Sequence, residues 1–176
     1  MSSNRQYGDV NEAFLDILRD VVGSEHVRTD EEARTTYGAD ALKRGHPADV
    51  VVWPGSTEEV AGVLRACSAY RVPVVPRGAG TGYTGGAVPS FGGVVLSLQR
   101  LDKILEIDER NLLAVAECHV VTGDLQKAVE AVGLFYPPDP ASLSTSTIGG
   151  NGTSRTITFV ITANVPSDPT SNCVRS

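Results

Sequence analysis

Basic runs, long apolar stretches and clustered metal ligands are all scarce in this chain, and each shortage removes a class of function. The 15 lysines and arginines are scattered among 21 acidic residues, for a net charge of −6. Recognition of a phosphate backbone draws on concentrated positive charge, so nucleic acid is not an expected partner, and no basic run suggests a membrane patch. The opening stretch, "MSSNRQYGDVNEAFLDILRDVV", breaks its apolar residues with Asp and Glu. It has neither the apolar core of a signal peptide nor the length of a membrane span, and the expectation is a cytoplasmic chain. Cys67, Cys118 and Cys173 lie far apart, without metal-ligand spacing to one another or to His26, His46 and His119. Free thiols are expected rather than disulfides, and no zinc centre. With 176 residues, 41% hydrophobic and 20% charged, the chain suits one globular domain, or one domain with a short appendage.

What is present reads as an α+β protein. Val10, Phe14, Ile17, Leu18 and Val21 share one face of a helix over residues 9–22. A short helix is expected in "TDEEARTTYG", with Thr29 or Asp30 as cap and Gly38 as stop. A strand at Val50–Trp53 precedes a helix opened by the capping box of Ser56 and Glu59. That helix carries the stripe Val60, Val63, Leu64 and Cys67 and leads to a strand at Val72–Val75. A buried strand follows at 92–98, then a hairpin over 104–120 with its turn at Asp108–Asn111. A helix at 122–133 is expected to be capped by Thr122 and stopped by Gly133. Composition changes abruptly at Gly152: the last 25 residues hold nine Ser or Thr and one acidic residue, Asp168. "TITFVITANV" suits a β-branched strand, and the remainder suits a polar, disordered tail.

Five glycines fall between Gly78 and Gly86 in "VPVVPRGAGTGYTGGAVP". Ordering glycine is entropically costly, so a cluster marks a need for bare backbone. A P-loop is excluded, since no lysine follows. Gly80, Gly82 and Gly85 match G-x-G-x-x-G, but that motif works by delivering a helix N-terminus to a pyrophosphate. Here Pro89 and a strand follow instead of a helix. Two readings stay open on composition: a nest of backbone N–H groups around an anion, with Arg77 adding charge or simply solvated, or a hairpin loop using glycine for geometry alone. A second site, "STSTIGGN" after the proline-stiffened "YPPDPAS", tips the balance. Two glycine-bearing loops suit a long ligand clamped from both sides.

"VPRGAGTGYTGGAVP", "GGVVLSLQRLDKILEID", "GLFYPPDPAS" and "STIGGN", in this order, resemble the FAD-linked oxidases of the p-cresol methylhydroxylase and vanillyl-alcohol oxidase type. Within them they resemble the branch that holds the GlcD-type glycolate oxidases and the FAD-dependent D-lactate dehydrogenases. The resemblance covers about residues 10–151 and implies two α+β subdomains with FAD between them. It implies a first subdomain in residues 1–76, and the pyrophosphate loop and start of the second in 77–151. Residues 152–176 form an aberrant tail. The pyrophosphate is implied on the backbone of Arg77, Gly78, Ala79, Gly80, Thr81 and Gly82, with Thr84 nearby, and the flavin's path along Pro138, Ser146, Gly149 and Gly150.

Family members continue after "GGN" with an Ala-Gly-Gly stretch, a Lys-Tyr-Gly motif and a separate substrate domain. "GTSRTITFV" matches none of that, which suggests a frameshift or truncation at residue 152. Cys118 and His119 stand where the family has Pro-Gly; His119 reads as a strand-end residue at the surface and Cys118 as a core residue. Tyr37 and Trp53 read as packing residues. The implied activity is oxidation of a 2-hydroxy acid, glycolate or D-lactate in type, to the 2-oxo acid, with no catalytic residue assigned in this chain. A completing subunit would then supply the substrate domain. The alternative is a remnant without activity that binds FAD weakly at most.

Overall fold

A computed structural model describes residues 7–151 and the strand backbone at 157–160 and 162–163. Expectations for the rest of the tail, including Cys173, lie outside the described residues. The elements in chain order are α1 (Glu12–Val22), β1 (Val27–Arg28), α2 (Glu31–Tyr37), β2 (Val50–Val52), α3 (Thr57–Tyr70), β3 (Val74–Arg77) and β4 (Val94–Ser97). They continue with β5 (Ile104–Asp108), β6 (Leu113–Ala116), α4 (Thr122–Glu130), β7 (Leu134–Phe135), α5 (Ile148–Asn151), β8 (Ile157–Val160) and β9 (Thr162–Ala163).

The first sheet has the order β1-β2-β4-β3, with β4 parallel to both β2 and β3. Parallel strands buried on both faces read as unbroken apolar runs, and Val50, Val51, Val52, Val94 and Val95 are all fully buried. Successive side chains alternate faces. Val50, Val52, Val94 and Leu96 meet Phe14 and Leu18 of α1 and Val63 and Cys67 of α3. Val51 and Val95 meet Ala33, Ala48 and Trp53 on the other side. Burying side chains such as Phe14 and Leu18 stabilises the layer by about 1.5–3 kcal/mol each.

Asp30 and Ser56 cap their helices as expected, and Asn11, inside the stretch expected as helix, caps α1. Asn11 accepts from Phe14 N at 3.0 Å, Asp30 from Ala33 N at 3.0 Å and Ser56 from Glu59 N at 3.1 Å. In the capping box the Glu59 carboxylate takes Gly55 N at 2.7 Å, one residue before the expected partner. Tyr37 and Trp53 pack edge to face with centroids 5.1 Å apart, as expected of packing residues.

Three details differ from the sequence reading. β3 begins at Val74, not Val72, because Val72 N closes the end of α3 by donating to Cys67 O at 2.9 Å. Thr122 is the first residue of α4 and not its cap: the cap is Val121, and the Thr122 hydroxyl donates to Ser146 O at 3.1 Å. A division at residue 76 does not follow the sheets, since β4 lies between β2 and β3 in the first of them. Sequence marks β4 as a buried strand; only pairing places it.

The second sheet, β5-β6-β8, is antiparallel. Asp108 makes the hairpin turn, accepting from Arg110 N and Asn111 N at 3.0 Å. Leu125 and Val129 of α4 close a core with Ala114, Ala116, Val120, Tyr136 and Ile148. β8 arises within the β-branched stretch and pairs with β6 from Leu113↔Val160 to Ala116↔Ile157. A two-stranded ladder joins β7 and β9.

Candidate functional site

The glycine loop leaves β3 at the C-terminal ends of the parallel strands, the edge where open α/β sheets accept ligands. No helix follows it; the chain runs to β4, which removes the Rossmann reading. Among the described residues, no backbone N–H from Gly78 to Ala87 donates to a protein acceptor. Backbone donors are obligatory hydrogen-bonding groups, so this run is left for solvent or a ligand. Gly82 and Gly86 have ordinary φ, and a Cβ on either would meet nothing within 4 Å among the described residues. The chain's own packing therefore gives no reason for their bareness, whereas a ligand lying against the backbone does.

Gly80 is a different case. Its φ is +73°, and a Cβ there would strike the Arg77 guanidinium. That guanidinium donates to Ala39 O at 2.6 Å and Tyr37 O at 3.2 Å and lies 5.6 Å from the centre of the Tyr37 ring. The side chain is thus half-buried and spent on two carbonyls rather than left to solvent. It straps the loop to the segment after α2, and burial lowers its pKa from the ordinary value. Ala41 N, donating to Gly82 O at 3.3 Å, adds a second tie.

The second glycine loop is pinned against residues 118–122. Thr122 N donates to Ser146 O at 3.0 Å, Ile148 N to Val120 O at 2.9 Å and Gly149 N to Cys118 O at 2.7 Å. A Cβ on Gly149 would come within 2.7 Å of Cys118 Cβ, so only glycine lets the loop lie this close. Burial pushes the Cys118 thiol up and the His119 imidazole down from their ordinary values, which favours the neutral form of both.

The two loops meet. A Cβ on Gly78 would lie 2.6 Å from Thr147 Oγ1, and one on Gly150 would lie 3.3 Å from it. Thr147 is 2% exposed, and among the described residues its hydroxyl has no hydrogen-bond partner. Of the residues expected at the site, Arg77, Ala79, Gly80 and Thr81 are half-buried, and Gly82 and Thr84 are exposed. Ser146 is buried, with its hydroxyl 3.3 Å from that of Thr122. Pro138 is exposed and holds Gln126 Nε2 on its carbonyl at 2.8 Å. Sequence reasoning missed Thr147: one Thr in a Ser/Thr run gives no sign of which hydroxyl is buried.

Bare backbone donors, a cradle open to close approach and a buried hydroxyl without a partner fit the pyrophosphate of a dinucleotide. Comparison with known proteins agrees. The FAD binding domain family model matches residues 48–161, reaching past the composition change at Gly152. The chain is 44% identical over 144 residues to the glycolate oxidase subunit GlcD of Bacillus subtilis, covering 81% of this chain and 30% of that protein. It is 40% identical over 140 residues to D-2-hydroxyglutarate dehydrogenase of Stutzerimonas stutzeri, covering 79% and 30%. It is 36% identical over 150 residues to D-lactate dehydrogenase of Anaerostipes hadrus, covering 85% and 31%. The chain thus spans under a third of the length of these curated relatives. Among solved structures, 4-ethylphenol oxidase from Gulosibacter chungangensis superposes with a TM-score of 0.71 at 31% identity, over 82% of this chain and 30% of that one. p-Cresol methylhydroxylase shares the fold, with a TM-score of 0.70 at 21% identity over 79% and 28%. The chain belongs to the FAD-binding domain family, with the p-cresol methylhydroxylase type of fold, and FAD is its cofactor.

Proposed function

We propose that the two loops clamp FAD, and that the chain is the FAD-binding part of an oxidoreductase converting a 2-hydroxy acid to its 2-oxo acid. The observation that carries the first half is the run of N–H groups from Gly78 to Ala87 without protein acceptors. In this reading the pyrophosphate lies on the backbone of Arg77, Gly78, Ala79, Gly80, Thr81 and Gly82, beside Thr84. The flavin runs along Pro138, Ser146, Gly149 and Gly150. Bound FAD supplies a two-electron acceptor; the chain supplies position and exclusion of water. The names of three relatives, a glycolate oxidase component, a D-lactate dehydrogenase and a D-2-hydroxyglutarate dehydrogenase, support a 2-hydroxy acid as substrate. Substrate-orienting groups and the base that takes the hydroxyl proton are assigned to a domain outside these residues.

A second reading, an FAD-binding module without turnover of its own, has one observation in its favour. Among the described residues no carboxylate or histidine hydrogen-bonds to Gly78–Gly86, so no base is built into the loop. FAD titration of the purified chain, read by flavin absorbance and fluorescence after desalting, tests the binding common to both. Wild type is expected to retain flavin and Gly80→Asp to lose it, since the new side chain meets both a strained φ and the Arg77 guanidinium. An equally loaded Gly80→Asp protein would place the flavin elsewhere. Anaerobic addition of glycolate or D-lactate to the loaded chain separates the readings: bleaching means turnover by this chain, and unchanged colour means a module.

A further inference from the structure

Negative charge beside a diphosphate site weakens binding, because like charges repel. Asp40 is nevertheless buried next to the glycine loop: it is 8% exposed, and the N–H of the following residue, Ala41, donates to Gly82 O at 3.3 Å. A carboxylate kept there calls for a reason other than attraction.

Its hydrogen bonds supply one. Asp40 Oδ1 accepts from Leu42 N at 2.9 Å and from Arg44 N at 3.1 Å. Asp40 N donates to Arg44 O, and Lys43 N donates to Asp40 O, both at 3.0 Å. An aspartate that bonds backbone N–H groups just ahead of it builds a turn, and this one holds Lys43 at a φ of +56°. Behind the turn Ala39 bridges Gly45, and His46 N donates to Gly38 O at 3.2 Å. Residues 38–46 are therefore a small hairpin with Asp40 at its centre. The same hairpin grips the glycine loop on both sides of Asp40: Ala39 O accepts from Arg77 Nη1 at 2.6 Å, and Ala41 N donates to Gly82 O. Among the described residues, that last bond is the one backbone hydrogen bond joining Gly78–Ala87 to a distant segment. Glycine has the most conformational freedom to lose, so a loop this rich in it needs bracing to present its N–H groups in one arrangement.

We propose that Asp40 is a positioning residue for FAD. It shapes the 38–46 hairpin, and the hairpin holds the glycine loop in its binding conformation through Ala39 O and Ala41 N. Asp40 acts through the backbone and not by contact with the ligand. The inference rests on the FAD-binding reading above. Apparent affinity falls with the fraction of protein that is competent to bind, so a loop in place a tenth of the time binds about tenfold more weakly.

Asp40→Ala and Asp40→Asn make the test, read by titration with FAD and with ADP and by denaturant unfolding of the ligand-free chain. Alanine removes acceptor and charge together; asparagine removes the charge and keeps the acceptor. Asp40→Ala is expected to raise the dissociation constants of FAD and ADP by the same factor, about tenfold. Asp40→Asn is expected within about threefold of wild type. A merely structural aspartate would lower the unfolding midpoint and leave both affinities unchanged. A charge acting on Arg77 from a distance would make Asp40→Asn as weak as Asp40→Ala. Either result overturns the proposal. Arg77→Met cuts the other end of the same brace, so the double variant Asp40→Ala, Arg77→Met is expected within about threefold of the weaker single one; losses that multiply overturn the proposal as well. Asp40→Ser, whose hydroxyl makes the turn more weakly, replaces the alanine variant if that one does not fold, and FAD binding as tight as wild type in whichever of them folds contradicts the brace. A wild-type chain that binds neither FAD nor ADP overturns the FAD-binding reading and the proposal with it, whereas a binding wild type beside an unimpaired Asp40→Ala overturns the proposal alone.

Discussion

Arg77 shows how far a residue's place in the sequence differs from its role in space. It heads the glycine loop, where a positive charge beside a phosphate site invites the reading of a phosphate ligand. Its guanidinium instead fills two carbonyls of the preceding segment, at Ala39 and Tyr37, and lies over the Tyr37 ring. Both bonds leave one nitrogen, Nη1, while the planar guanidinium lies over the Tyr37 ring, a combination of reach and stacking that a compact ammonium does not reproduce. Arg77→Lys is therefore expected to lower unfolding free energy by about 1.5–3 kcal/mol, the range for hydrogen bonds to a charged group, nearly as much as Arg77→Met. Denaturant titration of the two variants measures this. A lysine variant as stable as wild type would show that charge, not geometry, is what the site uses. Gly80 was legible as a glycine the loop needs, but the guanidinium it must admit was not, because the two residues meet through space.

Among the helices and strands, caps were the most legible feature. Asn11, Asp30 and Ser56 each sit one residue before a helix and each bonds the N–H three residues on. At Asp30 and Ser56 the signal is local and chemical, so a linear reading finds it; Asn11 lies inside the stretch 9–22 expected as helix and was not legible as a cap. Asp30 carries a further consequence. Two bonds from Arg28, at 2.6 Å each, together with Ala33 N hold its carboxyl down at about 2 against an ordinary 3.8. Its folded pKa lies below its unfolded one, so its contribution is full above the unfolded value and is lost as pH falls through the folded one. Asp30→Ala should melt below wild type at pH 7, with the gap closing between about pH 4 and pH 2. Thermal melts of both proteins across that range measure it; a gap constant with pH would show that the carboxylate's charge is not involved. Thr122 is where local reasoning failed. A Thr before a helical stretch is a fair cap, but tertiary packing drew its hydroxyl to Ser146 O instead.

In the fold as a whole, two cores carry the two loops. The first surrounds a mostly parallel sheet, and its C-terminal edge releases the Gly78–Gly86 loop. The second closes under α4 and presents the Gly149–Gly150 pair. The sequence revealed the longer strands and helices in both, but not β1, β7 or α5, which are only two to four residues long. Sheet order was not legible, because a buried strand such as β4 does not declare its neighbours and pairing is non-local. The glycine motifs named the ligand class through their resemblance to FAD-linked oxidases, and the matching FAD-binding domain family supports it. The meeting of Gly78 with Thr147, sixty-nine positions apart in the chain, could be found only in three dimensions.

Residue, loop and core all bear on one claim, that FAD lies on bare backbone between the two loops. Amide chemical shifts of isotope-labelled chain, followed during titration with FAD, address it without an intermediary. Binding on the proposed surface moves the amides of Gly78, Gly80, Gly82, Gly85 and Gly86 together with Thr147 and Gly150, and leaves those of α1 and α3 in place. FAD that binds while those loop amides stay still, or that shifts the face formed by α1 and α3, would show that the ligand sits elsewhere.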